Sequence, residues 1–252
     1  MTRIAVIHHL QQPFLGNAAA PLGAVEEHFR GALPDLDGLD GLVSFGGEQD
    51  AWDPALAPEV ELIAEAVARE IPFLGVCLGA QLLARATGGE NVRLERRLVT
   101  WHPLTVIAED PVLGAIPPRS RALHWNQDGF EPPRGAVEVY ERPHGGRAEG
   151  FRVGVGSPRG RSLHESGRRS PGSQRLADSG LAWGVQFHPE VDSQALEGWY
   201  AAWPYALTEA GTTAEDARAA DALHLPDQAA LSTAIFGAFT RVVRTNARSA
   251  QV

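Results

Sequence analysis

Residues 71–89, IPFLGVCLGAQLLARATGG, leave the chain little choice of fold. Residues 71–77 are apolar without alternation, as a strand buried on both faces should be. Residues 78–89 have helical spacing and close on a glycine pair, as a helix with a glycine stop does. Nothing separates the two. A strand that turns at once into a helix needs small residues at the corner, and Gly75 and Gly79 stand two positions either side of Cys77. Such an elbow pushes its apical side chain out of the fold and onto a helix N-terminus. Free N–H groups and the helix dipole there favour an anion. Cys77 is the sole cysteine. It is either a small buried hydrophobe or a nucleophile set on a sharp turn.

The same rhythm precedes it. RIAVIHH (3–9) reads as a first strand, LGAVEEHF (22–29) has helical spacing, and GLVSFGG (41–47) reads as a second strand ending in two glycines. Residues 54–70 read as an amphipathic helix with Val60, Ile63, Ala64 and Val67 on one face. Strand and helix in alternation predict a parallel sheet with crossover helices. Residues 98–108, 121–126, 136–142, 149–156 and 181–188 are strand-like with little helix between them. They predict antiparallel strands added to that core. From Asp192 the pattern is helical again.

We read residues 1–252 as a single domain with an insertion at 156–180. That segment is rich in Gly, Ser and Arg, with five arginines against Glu165 and Asp178. It has too few apolar residues to bury itself, so the expectation is a mobile loop. A basic loop suits an acidic partner or a phosphate, but a solvated insertion without a role is the stronger reading.

Composition removes several chemistries. All 22 basic residues are arginine, so Schiff-base catalysis and a P-loop lysine are excluded. One cysteine excludes a disulfide within the chain and a Cys-rich zinc site. The formal charge of −9 argues against a nucleic-acid partner. The N-terminal apolar run is too short for a signal peptide, and no stretch is long enough to span a membrane. The expectation is a soluble cytoplasmic protein with no membrane partner. His102, His144, His164 and His224 show no metal-ligand spacing, so neither metal nor cofactor is expected. His8 and His9 either line a pocket mouth or stand in solvent.

A cysteine nucleophile needs a base, and the base needs an orienter. WGVQFHPE (183–190) supplies both. Pro189 biases His188 towards extended backbone, where residues i and i+2 share a side. Glu190 then reaches one imidazole nitrogen and leaves the other for a thiol.

GVCLGAQ with a downstream FHPE resembles the class I, or triad, glutamine amidotransferase family. FGGEQ (45–49) resembles its oxyanion-hole glycine pair. WHP (101–103), LHWNQDGF (123–130) and AEGFRVG (148–154) look like stretches of its stand-alone, GMP-synthase-like subgroup. The resemblance covers nearly the whole chain except 156–180. It implies a mostly parallel twisted sheet flanked by helices, the flavodoxin-like α/β fold of that family, with added antiparallel strands.

The resemblance also implies roles. Cys77 attacks the glutamine amide, His188 moves the proton, and Glu190 holds His188. The N–H groups of Gly47 and Leu78 face the oxyanion, beside Gly46. Gln81 contacts bound glutamine, and the His124–Asp128 stretch, including Trp125 and Asn126, borders the pocket. Glu48 and Asn126 depart from the family, which usually has proline or a small residue at the first position and often histidine at the second. The implied reaction is hydrolysis of L-glutamine to glutamate and ammonia. The chain is too short to hold a synthase domain as well, so the acceptor belongs to a partner synthase or another enzyme. A γ-glutamyl hydrolase or peptidase would use the same triad, and a non-catalytic regulatory module is a third reading.

Overall fold

A computed structural model describes residues 2–10, 14–29, 31–143, 146–153 and 180–249. Strand β1 (Ile4–His8) lies inside the central sheet, and its residues point alternately into two apolar layers. Ile4 and Val6 enter one layer, Ala5 and Ile7 the other. The same split separates Val43 from Leu42 on β3 (Gly41–Ser44) and Leu74 from Phe73 on β4 (Phe73–Val76). Neither face meets water, which is why these strands read as unbroken apolar runs.

The sheet order is β2-β1-β3-β4-β9-β8-β7. β2 (Glu26–Phe29), β1, β3, β4 and β9 (Ala182–Val185) run parallel. β8 (Gly150–Arg152) and β7 (Val137–Glu138) close the sheet antiparallel. Helices α2 (Ala57–Ala68) and α3 (Leu78–Thr87) cover one face, burying Ile63, Ala66 and Leu82. α1 (Ala19–Leu22) and the long α7 (Gln228–Ser249) cover the other, burying Leu22, Ile235 and Phe239. The parallel strands β1, β3, β4 and β9 all point their C-terminal ends to one edge. Open α/β sheets bind ligands at that edge.

A second layer stands apart. β5 (Glu90–Pro103) and β6 (Arg121–Glu131) form their own antiparallel hairpin. α4 (Ser193–Ala202), α5 (Pro204–Ala210) and α6 (Ala214–His224) pack with it around Trp101, Leu123, Trp125, Trp199 and Tyr200. Of the expected antiparallel strands, β7 and β8 join the central sheet as such, whereas 181–188 is corrected: it joins as β9, parallel to β4, because its apolar run is buried in the core beside that strand.

A further expectation is overturned. Residues 22–29 are not a helix, because Gly23, at φ +74°, ends α1 and residues 26–29 then pair with β1. Glu26 and His28 sit on this edge strand through a 2.7 Å ion pair, and Arg3 adds a 2.9 Å bond to Glu26. Pairing with a buried neighbour outweighs the local helical spacing. The proposed insertion at 156–180 lies, except for Gly180, outside the described residues. Among the described residues no helix is long and apolar enough to cross a membrane.

Candidate active site

Cys77 sits between β4 and α3 at φ +52°, ψ −106°. That conformation costs a non-glycine residue about 1–3 kcal/mol and persists only where the surroundings enforce it. They do. The Cys77 N–H donates to Val185 O (2.8 Å), and its carbonyl accepts from Ala80 and Gln81 (3.0 and 3.1 Å). The first turn of α3 lies directly on the end of β3. A Cβ at Gly79 would fall 2.1 Å from the Ser44 carbonyl oxygen, and one at Gly75 would fall 2.4 Å from the Gly79 carbonyl. Backbone meets backbone there, so both corner positions demand glycine. The thiol is 6% exposed.

His188 arrives from the neighbouring strand. Beyond β9, the His188 N–H donates to Leu123 O (2.9 Å). His188 Nδ1 bonds Glu190 Oε1 at 2.8 Å. Nε2 is buried, has no hydrogen-bond partner among the described residues, and interacts with Cys77. Gly46 separates imidazole and cysteine. A Cβ there would lie 3.0 Å from His188 Cε1 and 3.4 Å from Cys77 Cβ. Burial works against a charged imidazole, but the Glu190 carboxylate and then Cys77 outweigh it and push the His188 pKa up to about 10. The edge of Trp199 seals it, with ring centroids 4.8 Å apart.

The segment after β3 is fixed by a buried network. His9 Nδ1 meets Phe45 O at 3.0 Å, His9 Nε2 meets Glu59 Oε2 at 2.8 Å, and Ser44 Oγ donates to Glu59 Oε1 at 2.7 Å. A Cβ at Gly47 would lie 2.4 Å from His9 Cβ. Gly47 and the first residue of α3, Leu78, line the same cleft as Cys77. The first N–H groups of a helix have no partner within it, so the Leu78 N–H, next to Cys77, is not used by α3 itself.

Two clefts open on either side of Cys77. One is apolar, walled by Phe14, Phe45, Trp125, Trp199 and Trp203, with Gly46, His188 and Glu190 in its floor. The other is polar, and Gln81, Arg93, Arg97, Asn126 and Asp128 line it. Burial, reinforced by Asp50 and opposed by Arg93, pushes the Asp128 pKa up to about 6. Arg93 binds both carboxylates, Asp128 at 3.0 Å and Asp50 at 2.8 Å.

The structure thus brings together Cys77, His188, Glu190, Gly46, Gly47, Leu78, Gln81, Trp125 and Asn126. Gln81 is anchored, its Nε2 donating to Asp128 O (2.9 Å) and Gln186 Oε1 (3.3 Å). His124 departs from expectation. It lines neither cleft, because its side chain turns towards His102 and Glu149. Sequence reasoning missed Gln186, whose Nε2 lies 3.6 Å from Cys77 Sγ, together with Glu59, Arg93, Arg97, Trp199 and Trp203. Gln186 directly follows β9 and stands two residues before His188, and that spacing was the available signal.

The family model described as glutamine amidotransferase class-I matches residues 26–152, a stretch that contains Cys77 and ends before His188. The glutamine-hydrolyzing GMP synthase subunit from Haloquadratum walsbyi is 27% identical over 76% of this chain and 90% of its own length. Its namesake from Sulfolobus acidocaldarius is also 27% identical, over 48% of this chain, and the match spans about half (52%) of that protein. A glutamine amidotransferase crystal structure from Thermotoga maritima superposes with a TM-score of 0.74 at 24% identity, covering 96% of this chain and 98% of that one. At that identity the likeness concerns the fold alone.

Proposed function

Because the chain belongs to the class I glutamine amidotransferase family, we propose that it hydrolyses the side-chain amide of L-glutamine through a γ-glutamyl thioester on Cys77. The observation that carries this reading is the strained, glycine-cornered Cys77 facing the His188–Glu190 pair. The thiolate attacks the amide carbon and the carbonyl oxygen becomes an oxyanion, which the N–H groups of Gly47 and Leu78 receive. Donors fixed before the charge appears are worth several kcal/mol of barrier. As the C–N bond breaks, His188 gives its Nε2 proton to the leaving nitrogen, which departs as ammonia. Water then attacks the thioester carbon and gives its proton to His188. The C–S bond breaks, and glutamate leaves the restored thiolate. Glu190 holds the imidazole in place throughout.

In this reading the polar cleft takes the glutamine head group, with Arg93 and Arg97 towards its carboxylate and Asp128 towards its ammonium. Released ammonia passes to an acceptor bound by a partner, the role suggested by relatives named as GMP synthase subunits. A second reading has support of its own. The apolar cleft beside the triad, walled by three tryptophans, suits a γ-glutamyl amine or peptide with a bulky apolar leaving group. Parallel assays on glutamine and on a γ-glutamyl arylamine separate the two, with Cys77→Ala as control. The first reading expects kcat/KM to favour glutamine. Preference for the arylamine supports the second reading, and release of product by Cys77→Ala contradicts both.

A further inference from the structure

Behind the catalytic strand lies a group that the proposed reaction does not use. His102 on β5 and His124 on β6 share one face of the hairpin as diagonal neighbours, their rings 4.7 Å apart. Glu149, just before β8, faces them from the central sheet. The three groups each present a donor atom within 4.8 Å of the other two. His124 is fully buried, Glu149 is 5% exposed, and His102 is half-buried.

Their hydrogen bonding is incomplete. His124 Nε2 lies 2.8 Å from Glu149 Oε2 but at angles that make no hydrogen bond. Among the described residues His124 Nδ1, His102 Nδ1 and Glu149 Oε2 also have no hydrogen-bond partner. An unsatisfied buried polar atom costs about 1–3 kcal/mol, and several in one place need a common occupant.

We propose that His102, His124 and Glu149 bind one divalent transition-metal ion of the Zn²⁺ type, which ties the β5–β6 hairpin to the central sheet. Two imidazoles and a carboxylate suit Zn²⁺ and its neighbours far better than Mg²⁺ or Ca²⁺, which prefer oxygen-only sets. Ligands about 2.0–2.2 Å from a tetrahedral ion lie roughly 3.3–3.6 Å apart. To reach that spacing His102, the least enclosed ligand, has to close in and the 2.8 Å contact between His124 and Glu149 has to open, with a fourth position left for water. The ligands sit next to the backbone of the active site. Leu123 O, preceding His124, accepts from His188 N, and Glu149 O accepts from Gln186 N, both at 2.9 Å. An ion here fixes the two strands that place the base and the Gln186 amide.

The test uses the full chain carrying Cys77→Ser, so that the catalytic thiol cannot hold the ion. After chelator treatment it is titrated with Zn²⁺ against a chromophoric competitor, and melting is recorded with and without Zn²⁺. We expect one equivalent bound, a raised melting temperature, and no competition by Mg²⁺. Binding should weaken tenfold or more in both His102→Ala and Glu149→Gln, which probe the ligand set from opposite sides. Absence of stoichiometric binding in the Cys77→Ser chain overturns the proposal. So does binding that survives unchanged in both ligand variants, because the ion then sits elsewhere.

Discussion

The two sides of the active cleft are built by different means. On the elbow side, Cys77, Gly46, Gly47 and Leu78 are placed by backbone at the C-terminal edge of the parallel sheet. The positive φ of Cys77, the close backbone packing that leaves no room for a Cβ at Gly75 or Gly79, and strand hydrogen bonds fix that backbone. On the opposite side, Arg93, Arg97, Trp125, Trp199 and Trp203 project from the hairpin and from α4 and its C-terminal end, outside that sheet. They are placed by ring packing and ion pairs, such as Trp125 against Trp199 at 5.5 Å. On the proposed reading, the difference teaches that bond-making is entrusted to the backbone and ligand choice to exchangeable side chains. Changes on the first side should fall on kcat, and changes on the second on KM.

The largest effect tests the catalytic side. His188→Ala should remove nearly all glutamine hydrolysis, and Glu190→Gln should leave roughly tens of times more activity than His188→Ala does, as in triads where the base outweighs its orienter. Single-turnover assays on both variants measure the ratio; equal and negligible losses would break the account. Next, Gly46→Ala inserts a methyl group 3.0 Å from His188 Cε1 and pushes the ring off the thiol. Misplacement of about 1 Å costs on the order of a hundredfold in rate. We expect that loss in kcat with an unchanged melting temperature, and retained kcat would show that the two side chains are not held by this contact.

A milder effect tests the other side. Asp128 carries its charge only above about pH 6, its carboxyl being raised by burial. Protonation as pH falls through 6 removes an anion from the polar cleft. The KM for glutamine should therefore rise below pH 6 while kcat changes little in comparison. Asp128→Asn should show the raised KM at every pH in that window, and KM profiles of the two chains decide it. The smallest effect concerns the insertion at 156–180. Val153 N donates to Ala182 O at 2.9 Å, so the residues flanking this segment are already joined. Replacing 156–180 by a short turn should leave kcat and KM within about twofold, because neither wall of the cleft draws on the flanking strands' outer ends. A larger fall would assign that segment to the site.

This asymmetry also explains what the sequence revealed. The elbow is legible because its physics is local: an apolar run, a glycine two residues on each side of Cys77, then helical spacing. His188 and Glu190 are legible through Pro189 and a two-residue period. The parallel core follows from unbroken apolar runs. The misread edge strand at 26–29 carries Glu26, Glu27 and His28, which β1 and lateral ion pairs accommodate. None of that is visible locally. Arg93, Arg97 and Trp203 were hidden because three elements converge on one cleft without sequence spacing. His102, His124 and Glu149 likewise meet only through the antiparallel register of β5 and β6 and the approach of β8.

The central claim is that Cys77 is the nucleophile, and its most direct test is covalent capture. A diazoketone analogue of glutamine, incubated with the purified chain, should add one label per molecule. Peptide mass mapping should place it on Cys77, with loss of hydrolysis in proportion to labelling and protection by excess glutamine. The account predicts no label on Cys77→Ala. Labelling that persists in Cys77→Ala, or glutamine turnover by a chain fully labelled at Cys77, would contradict it.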